Sequence, residues 1–422
     1  MPPASYLWDN IRKEMGVPGT GHGMNMACLA VDIHASGALA DHPAICFTDA
    51  GGFRETLTYA RLKEETDRFA NVLDILEIEK SSVIATLLNR SLSLYIAALG
   101  TLKKRCMFCP LFSAYGPEPV LQRLKQSESQ VLVTTPQYYR RKVEPVRSGM
   151  PNLKYILLTD TTDSSDCSGR GIFSFSRLMS EASTRFICPD THPDDPALLH
   201  FTSGTTGMPK GAVHVHESVL FHRMTGQRVL RLKPGMVYWC TADPAWITGT
   251  VYGIMAPLIS GCINIVDCGE FDVARWYRIL EKERVAVWYT SPSAVSRLMR
   301  VKHLPGTDFD LRHLERIFTV GEPLSVEMIK WSEKALNLTI HDTWWQTETG
   351  GIMIAAIPGG GVKAGAMGKP VAGIEAAVVK RVEPEDVEII GEPDVPGELA
   401  IRAGWPSMFR NYLHDPRSEE HT

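Results

Sequence analysis

The chain predicts an α/β fold, on three observations. Residues 57–134 alternate helical and strand patterns, and a second such series runs from about 191 to 358. Beyond 359 the helical period fades into short apolar runs separated by Gly and Pro, which reads as a small β-rich subdomain. Strand–helix–strand order implies mostly parallel sheets with helices on their faces. The expected organisation is therefore a first α/β subdomain over 1–190, a second over 191–358 and a β-rich one over 359–422. A chain of 422 residues is too long for one simple core, which supports a large domain built from such parts.

The elements follow in order. Thr58 caps a helix whose Leu62, Thr66, Phe69, Val72 and Leu73 share a face. Val83–Leu88 reads as a buried strand, and Leu92, Tyr95, Ile96 and Leu99 form a second helical stripe. Strands at Met107–Phe112 and Gln130–Thr134 flank a helix near Pro117–Ser127. The Asp-, Ser-, Thr- and Gly-rich segment Asp160–Gly171 reads as an exposed connection. Ala197–Phe201 and Ala212–His216 are extended, followed by a helix near Glu217–Arg228 and strands at Val237–Cys240 and Cys262–Val266. A helix at Val273–Lys282 precedes strands at Ala286–Tyr289 and Ile317–Val320, and short strands at Glu375–Val379 and Glu398–Arg402 complete the β-rich end.

Composition excludes several function classes. Net charge is −4, from 44 basic and 48 acidic residues, so no nucleic-acid or anionic-membrane partner is indicated. No basic segment followed by an apolar run opens the chain. The apolar stretch Val251–Val266 is interrupted by Gly253, Pro257 and Gly261 and is too short to span a bilayer. A soluble, cytoplasmic protein is expected, with oligomeric state left open. Nine cysteines form an odd count without a regular framework, as expected of reduced thiols. Cys106 and Cys109 have the spacing of half a zinc site, but no second pair follows, and the run from Cys106 to Phe112 reads as a buried strand. His214, His216 and His222 fall on a strand and then a helix, which favours a packing role over a metal.

Thr202, Ser203, Gly204, Thr205, Thr206, Gly207, Met208, Pro209, Lys210 and Gly211 carry the strongest chemical signal. Glycines let backbone N–H groups approach an anion, the hydroxyls add donors, and Lys210 adds charge. It is not the kinase and GTPase P-loop, which needs Ser or Thr directly after the lysine; Gly211 stands there instead. A nucleotide polyphosphate is the expected ligand. Farther on come Gly321-Glu322-Pro323 after an apolar strand, Asp342-Thr343-Trp344-Trp345-Gln346-Thr347-Glu348-Thr349-Gly350, the run from Gly365 to Pro370, and Gly397-Glu398-Leu399.

These segments, in this order, resemble those of the AMP-forming acyl-CoA synthetases of the adenylate-forming superfamily, and of its acetate-activating members in particular. The resemblance covers nearly the whole chain. It implies two stacked α/β subdomains and a small distorted β-barrel. It also implies a reaction in which ATP and a small carboxylate give an acyl-adenylate and pyrophosphate, and coenzyme A then takes the acyl group as a thioester. Members of the family continue through a mobile carboxy-terminal domain bearing a catalytic Lys; this chain is expected to be the large amino-terminal domain without it. Such a domain is expected to bind ATP, AMP or acyl-adenylate weakly and to make little thioester.

Roles carry over by position. Glu348 matches the Mg²⁺ ligand, in keeping with the preference of that hard cation for carboxylate, water and phosphate oxygens. Thr347 matches a contact to the α-phosphate, and Thr206 and Lys210 act from the phosphate loop. Gly321, Glu322 and Pro323 with Asp342, Thr343, Trp344 and Gln346 line the adenosine side. Trp345 closes the acyl pocket, with Ile247, Thr248 and Val320 shaping its end and Thr248 near the thiol channel. Ile247 stands where many acetate enzymes have Val, so propionate joins acetate as a candidate acid. Other readings stay open: a medium-chain acyl or amino-acid activator, with Asp243 facing the ammonium of an amino acid, or a non-catalytic nucleotide-binding module.

Overall fold

The computed structural model of the chain describes residues 4–17, 23–161, 171–202, 208–300, 309–357, 359–360, 363, 365–382 and 386–414. In chain order its strands are β1 (Pro43–Thr48), β2 (Arg54–Thr58), β3 (Val83–Leu87), β4 (Met107–Leu111), β5 (Val131–Thr134), β6 (Tyr155–Leu158), β7 (Ile172–Ser174), β8 (Pro196–Thr202), β9 (Lys210–Val215) and β10 (Val237–Cys240). There follow β11 (Ile263–Asp267), β12 (Val287–Thr290), β13 (Arg316–Val320), β14 (Ile340–Trp344), β15 (Ile354–Ala355), β16 (Lys369–Pro370), β17 (Ala376–Arg381), β18 (Val387–Ile389), β19 (Glu398–Ile401) and β20 (Asn411–Tyr412).

Among the described residues these strands make three sheets. One has nine strands in the order β16-β15-β14-β13-β12-β10-β11-β1-β2, one has eight in the order β20-β9-β8-β4-β3-β5-β6-β7, and the third is the antiparallel trio β18-β17-β19. The interior pairs of both large sheets are parallel, with antiparallel strands confined to their ends. The expected α/β class stands. The expected cut at 190/191 does not separate the sheets, because β1 and β2 join the sheet of the later half while β8 and β9 join that of the earlier half. Strand pairing is long-range, and nothing local in these strands specifies the partner. The expected barrel takes the form of the three-stranded sheet, while β16 and β20 from the same stretch extend the two large ones.

Alternation along the strands sets the layers. Tyr238 and Tyr289 point into a central core that also receives Ile84, Phe108 and Val133 from the other large sheet. Their neighbours Trp239 and Trp288 point the opposite way, into an outer core with Trp276 and Leu280 of the helix Val273–Lys282. Ala85, Cys109 and Leu132 face a third core with Val120 and Leu124. Both faces of each large sheet are thus buried, which is why these strands read as continuous apolar runs. Helix starts follow local rules: Thr58, Ser91, Asp272 and Ser325 each accept a backbone N–H three residues on.

Two cysteine expectations part ways. Cys106 and Cys109 are buried beside and within β4, as the strand reading expected. Cys28 and Cys188, expected as free thiols, instead form a disulfide across 160 residues. The fold brings their segments together: Met24 N–H donates to the Thr191 carbonyl at 3.1 Å and Gly23 N–H to Asp190 Oδ1 at 3.0 Å. No helix of the described residues is long and apolar enough to cross a membrane. The expected connection at 160–171 lies mostly outside the described residues.

Candidate active site

In the nine-stranded sheet β10 pairs with β11 on one side and β12 on the other, so the strand order reverses between β10 and β12. Parallel sheets open a crevice at the carboxyl ends of the strands where such a reversal occurs. A cavity of roughly 730 Å³ lies there. Thr241 and Ala242 follow β10, Tyr289, Thr290 and Ser291 come from the end of β12 and just beyond it, Val320, Gly321 and Glu322 from that of β13, and Trp345, Gln346, Thr347 and Glu348 follow β14. Trp246, Ile247 and Thr248 line another wall, and Thr202 enters from the end of β8.

The sequence-predicted residues divide accordingly. Thr202, Ile247, Thr248, Val320, Gly321, Glu322, Trp345, Gln346, Thr347 and Glu348 share this one cavity. Asp342, Thr343, Trp344 and Pro323 are not on its wall. Asp342 and Thr343 lie inside β14, where their side chains bond β13: Thr319 Oγ1 donates to Asp342 Oδ1 at 3.3 Å, and Thr343 Oγ1 donates to the Thr319 carbonyl at 2.8 Å. Burial raises the Asp342 pKa to about 6 against the lowering effect of the Thr343 N–H and the Thr319 hydroxyl. Pro323 is exposed and Trp344 packs against the central core. Ser203, Gly204, Thr205, Thr206 and Gly207 lie outside the described residues. Their flanks do form the predicted extended pair, since Thr202 and Lys210 are the last partners of the antiparallel β8–β9 ladder.

Local chemistry positions each wall. Gly249 lets the Asp243–Trp246 turn fold onto the start of the helix at Ile247–Thr250, because a Cβ there would collide with the Asp243 carbonyl. Asp243, half-buried and with a pKa raised by desolvation, accepts the Ala245 N–H at 2.9 Å. That carboxylate serves its own turn and does not line the cavity, which removes the amino-acid reading's candidate for the ammonium. Thr241 is tied to β12 through its N–H to the Tyr289 carbonyl at 3.0 Å and its hydroxyl to Thr290 Oγ1 at 2.7 Å. Ser293 Oγ donates to Glu322 Oε2 at 2.6 Å, orienting a carboxylate at the rim.

The turn bearing Thr347 and Glu348 is held from behind by the segment 405–412. Trp405 Nε1 and Ser407 Oγ both donate to the Thr349 carbonyl at 2.8 Å, and Phe409 N–H donates to the Glu348 carbonyl at 2.9 Å. Gly350 has φ +65, and a Cβ there would strike the Ser407 carbonyl, so only glycine closes this turn. Tyr412 OH donates to Glu348 Oε1 at 2.7 Å while its ring lies 5.0 Å from Lys210 Nζ. One phenol thereby links Lys210 to Glu348.

Sequence reasoning missed Tyr289, Thr290, Ser291 and Thr241, and the tether from Tyr412. A usable signal was present for the first three: Tyr-Thr-Ser immediately before Pro292, at the junction of an apolar strand and the next helix, is where a parallel sheet places ligand contacts. The predicted histidines are packing residues. His214 Nδ1 donates to the Ser407 carbonyl at 3.1 Å, His222 Nε2 to the Gly350 carbonyl at 3.0 Å, and His216 Nδ1 accepts the Met26 N–H at 3.1 Å.

Known proteins share this organisation. The profile of the family described as AMP-binding enzyme matches residues 33–413. The acetyl-coenzyme A synthetase of Bacillus subtilis is 39% identical over 398 residues, covering 94% of this chain and 68% of the relative. That of Syntrophus aciditrophicus is 32% identical, covering 94% and 63%, and that of Mycolicibacterium smegmatis is 30% identical, covering 94% and 44%. The chain therefore spans about two thirds or less of these relatives. Among solved structures, a Brucella canis acyl-CoA synthetase superposes with a TM-score of 0.85 at 25% identity, covering 99% of this chain and 75% of its own. An anthranilate CoA ligase in complex with anthranoyl-AMP has the same fold, with a TM-score of 0.82 at 20% identity, covering 93% and 71%. With a nucleotide-family profile spanning both large sheets and the strand-end cavity between its motifs, the chain belongs to the AMP-binding enzyme family.

Proposed function

We propose that this chain carries the acid-activating site of an AMP-forming ligase that takes acetate, or propionate, to an acyl-adenylate and then to its coenzyme A thioester. One observation carries the reading: Thr347 and Glu348 share a single cavity with the apolar group Ile247, Val320 and Trp345. The cavity thus offers polar groups suited to phosphate together with apolar groups suited to a small acyl chain. A carboxylate oxygen attacks the α-phosphorus of ATP, the bond from that phosphorus to the bridging oxygen breaks, and pyrophosphate leaves. The thiol sulfur of coenzyme A then attacks the acyl carbon, AMP leaves, and the thiol proton is lost to solvent. Both steps gather negative charge on phosphate oxygens, so positioned donors contribute more than a protein nucleophile would.

Thr347, Thr206 and Lys210 are the proposed phosphate contacts, with Gly321, Glu322 and Gln346 on the nucleotide side and Thr248 toward the thiol. Glu348 fits a Mg²⁺ ion: its carboxylate is oriented by Tyr412 and lines the cavity, and Mg²⁺ takes one or two carboxylates with phosphate and water completing its octahedron. When bound, that ion neutralises charge on the phosphates. The partners are small molecules, and the proposed compartment is the cytoplasm.

Acetate-dependent exchange of labelled pyrophosphate into ATP tests the reading. Exchange with acetate above that with octanoate or free amino acids is expected; binding of AMP with no added affinity for a non-hydrolysable acetyl-adenylate would favour a nucleotide-binding module. A second result follows from Trp345, which is buried on the cavity wall. Forcing methylenes against a packed wall costs about 1–3 kcal/mol. Trp345→Gly should therefore raise the butyrate-to-acetate ratio of exchange rates by about ten- to a hundredfold. An unchanged ratio would show that the indole does not close the pocket.

A further inference from the structure

Trp345 is held at two points. Its ring packs edge-on against Tyr252, centroids 5.2 Å apart at 77°, and its Nε1–H donates to Tyr289 OH at 3.2 Å. Tyr252 is itself fixed, bonded to Thr225 Oγ1 at 2.8 Å and accepting the Ile352 N–H at 2.8 Å. Tyr289 is fully buried, and its hydroxyl also meets Thr343 Oγ1 at 2.7 Å.

Counting protons gives this network a direction. The Thr343 hydroxyl has one hydrogen, and it goes to the Thr319 carbonyl at 2.8 Å. Thr343 Oγ1 therefore accepts from Tyr289, whose oxygen in turn accepts from the indole. The relay runs Trp345 Nε1–H to Tyr289 OH to Thr343 OH to the Thr319 carbonyl, through β12, β14 and β13. Each hydroxyl in it donates once and accepts once. The indole is thus tethered to the backbone of the sheet, not merely packed against a neighbour.

We infer that Tyr289 is a specificity-positioning residue: by anchoring the indole nitrogen of Trp345 it sets the depth of the acyl pocket. The inference rests on reading Trp345 as the wall of that pocket. Removing the phenolic oxygen leaves the indole N–H without its partner in a buried site, so the ring swings on its side-chain torsions and opens space that the intact relay denies. Loss of fold stability alone would weaken every ligand alike; loss of the anchor changes the discrimination between short and longer acyl groups.

Calorimetry with non-hydrolysable acetyl-, propionyl- and butyryl-adenylate analogues, on the chain and on Tyr289→Phe, reads that discrimination directly. The unaltered chain is expected to prefer the acetyl over the butyryl analogue, and Tyr289→Phe to reduce that preference by about five- to tenfold. A preference unchanged in a folded Tyr289→Phe chain overturns the inference and leaves the functional reading in place. Failure of the unaltered chain to bind any of the three overturns the functional reading and this inference with it. Should Tyr289→Phe not fold, Thr343→Val and Thr343→Ser carry the test, since the first removes the acceptor of the Tyr289 proton and the second keeps it. The preference should fall in Thr343→Val and return in Thr343→Ser; equal preferences in the two would overturn the anchor.

Discussion

Glu348→Gln is expected to lower acetate-dependent ATP–pyrophosphate exchange by about 10²–10³-fold while leaving the affinity for AMP without added Mg²⁺ within about threefold. The substitution keeps the size of the side chain and its acceptor oxygen, so Tyr412 OH, now 2.7 Å from Glu348 Oε1, retains a partner. What is lost is the negative charge, which a hard divalent cation requires and an amide does not supply. The turn itself is held through backbone carbonyls, from Trp405 and Ser407 to Thr349 and from Phe409 to Glu348, and these bonds do not depend on the carboxylate. The split between exchange and AMP affinity is therefore the informative readout. Equal losses in both would mean that Glu348 supports the shape of the site and does not engage the metal-bound phosphates.

Stability should fall steeply on mild acidification. His200, His214, His216 and His222 are each 1% exposed or less, and burial lowers their pKa values to about 3, about 4, about 3 and about 3. Their unfolded value is near 6.5, so below that pH the unfolded chain takes up protons that the folded chain refuses. The stability tied to the neutral rings is complete above pH 6.5 and is lost progressively as pH falls toward 4 and 3. At pH 5 the loss is roughly 1–2 kcal/mol per histidine, and four of them together are comparable with the whole stability of a typical fold. Urea midpoints at pH 7.5 and 5.0 check this. His222→Gln keeps a donor for the Gly350 carbonyl and removes the titration, so its midpoint should fall less between the two pH values. An equal drop would acquit His222. Because His214 and His222 bond the Ser407 and Gly350 carbonyls, the back of the Glu348 turn loosens along with the fold.

Part of the cavity lining was expected from the family resemblance. Gly321, Glu322 and the run from Trp345 to Glu348 were singled out by that likeness, and they meet in one cavity because each directly follows a parallel strand. The same logic places Tyr289 to Ser291 at the end of β12, where no familiar motif drew attention to them. Asp342 and Thr343 belong to the same motif yet spend their side chains on Thr319 of β13. Membership of a motif does not say which of its residues line the cavity; which way each side chain points from its strand does.

The sequence by itself determined the elements and their chemistry. The helix Val273–Lys282 and the strand Val237–Cys240 were expected with the boundaries observed, since caps, apolar period and β-branched or aromatic runs act within a few residues. Only the tertiary structure decided which sheet received β1, β2, β8 and β9, that Cys28 meets Cys188, that Tyr412 holds Glu348 from 64 residues away, and that Tyr289 holds Trp345 from 56. These are pairings between surfaces that become neighbours when the sheets stack. A side chain specifies how many protons it gives and takes, but the fold chooses the partner.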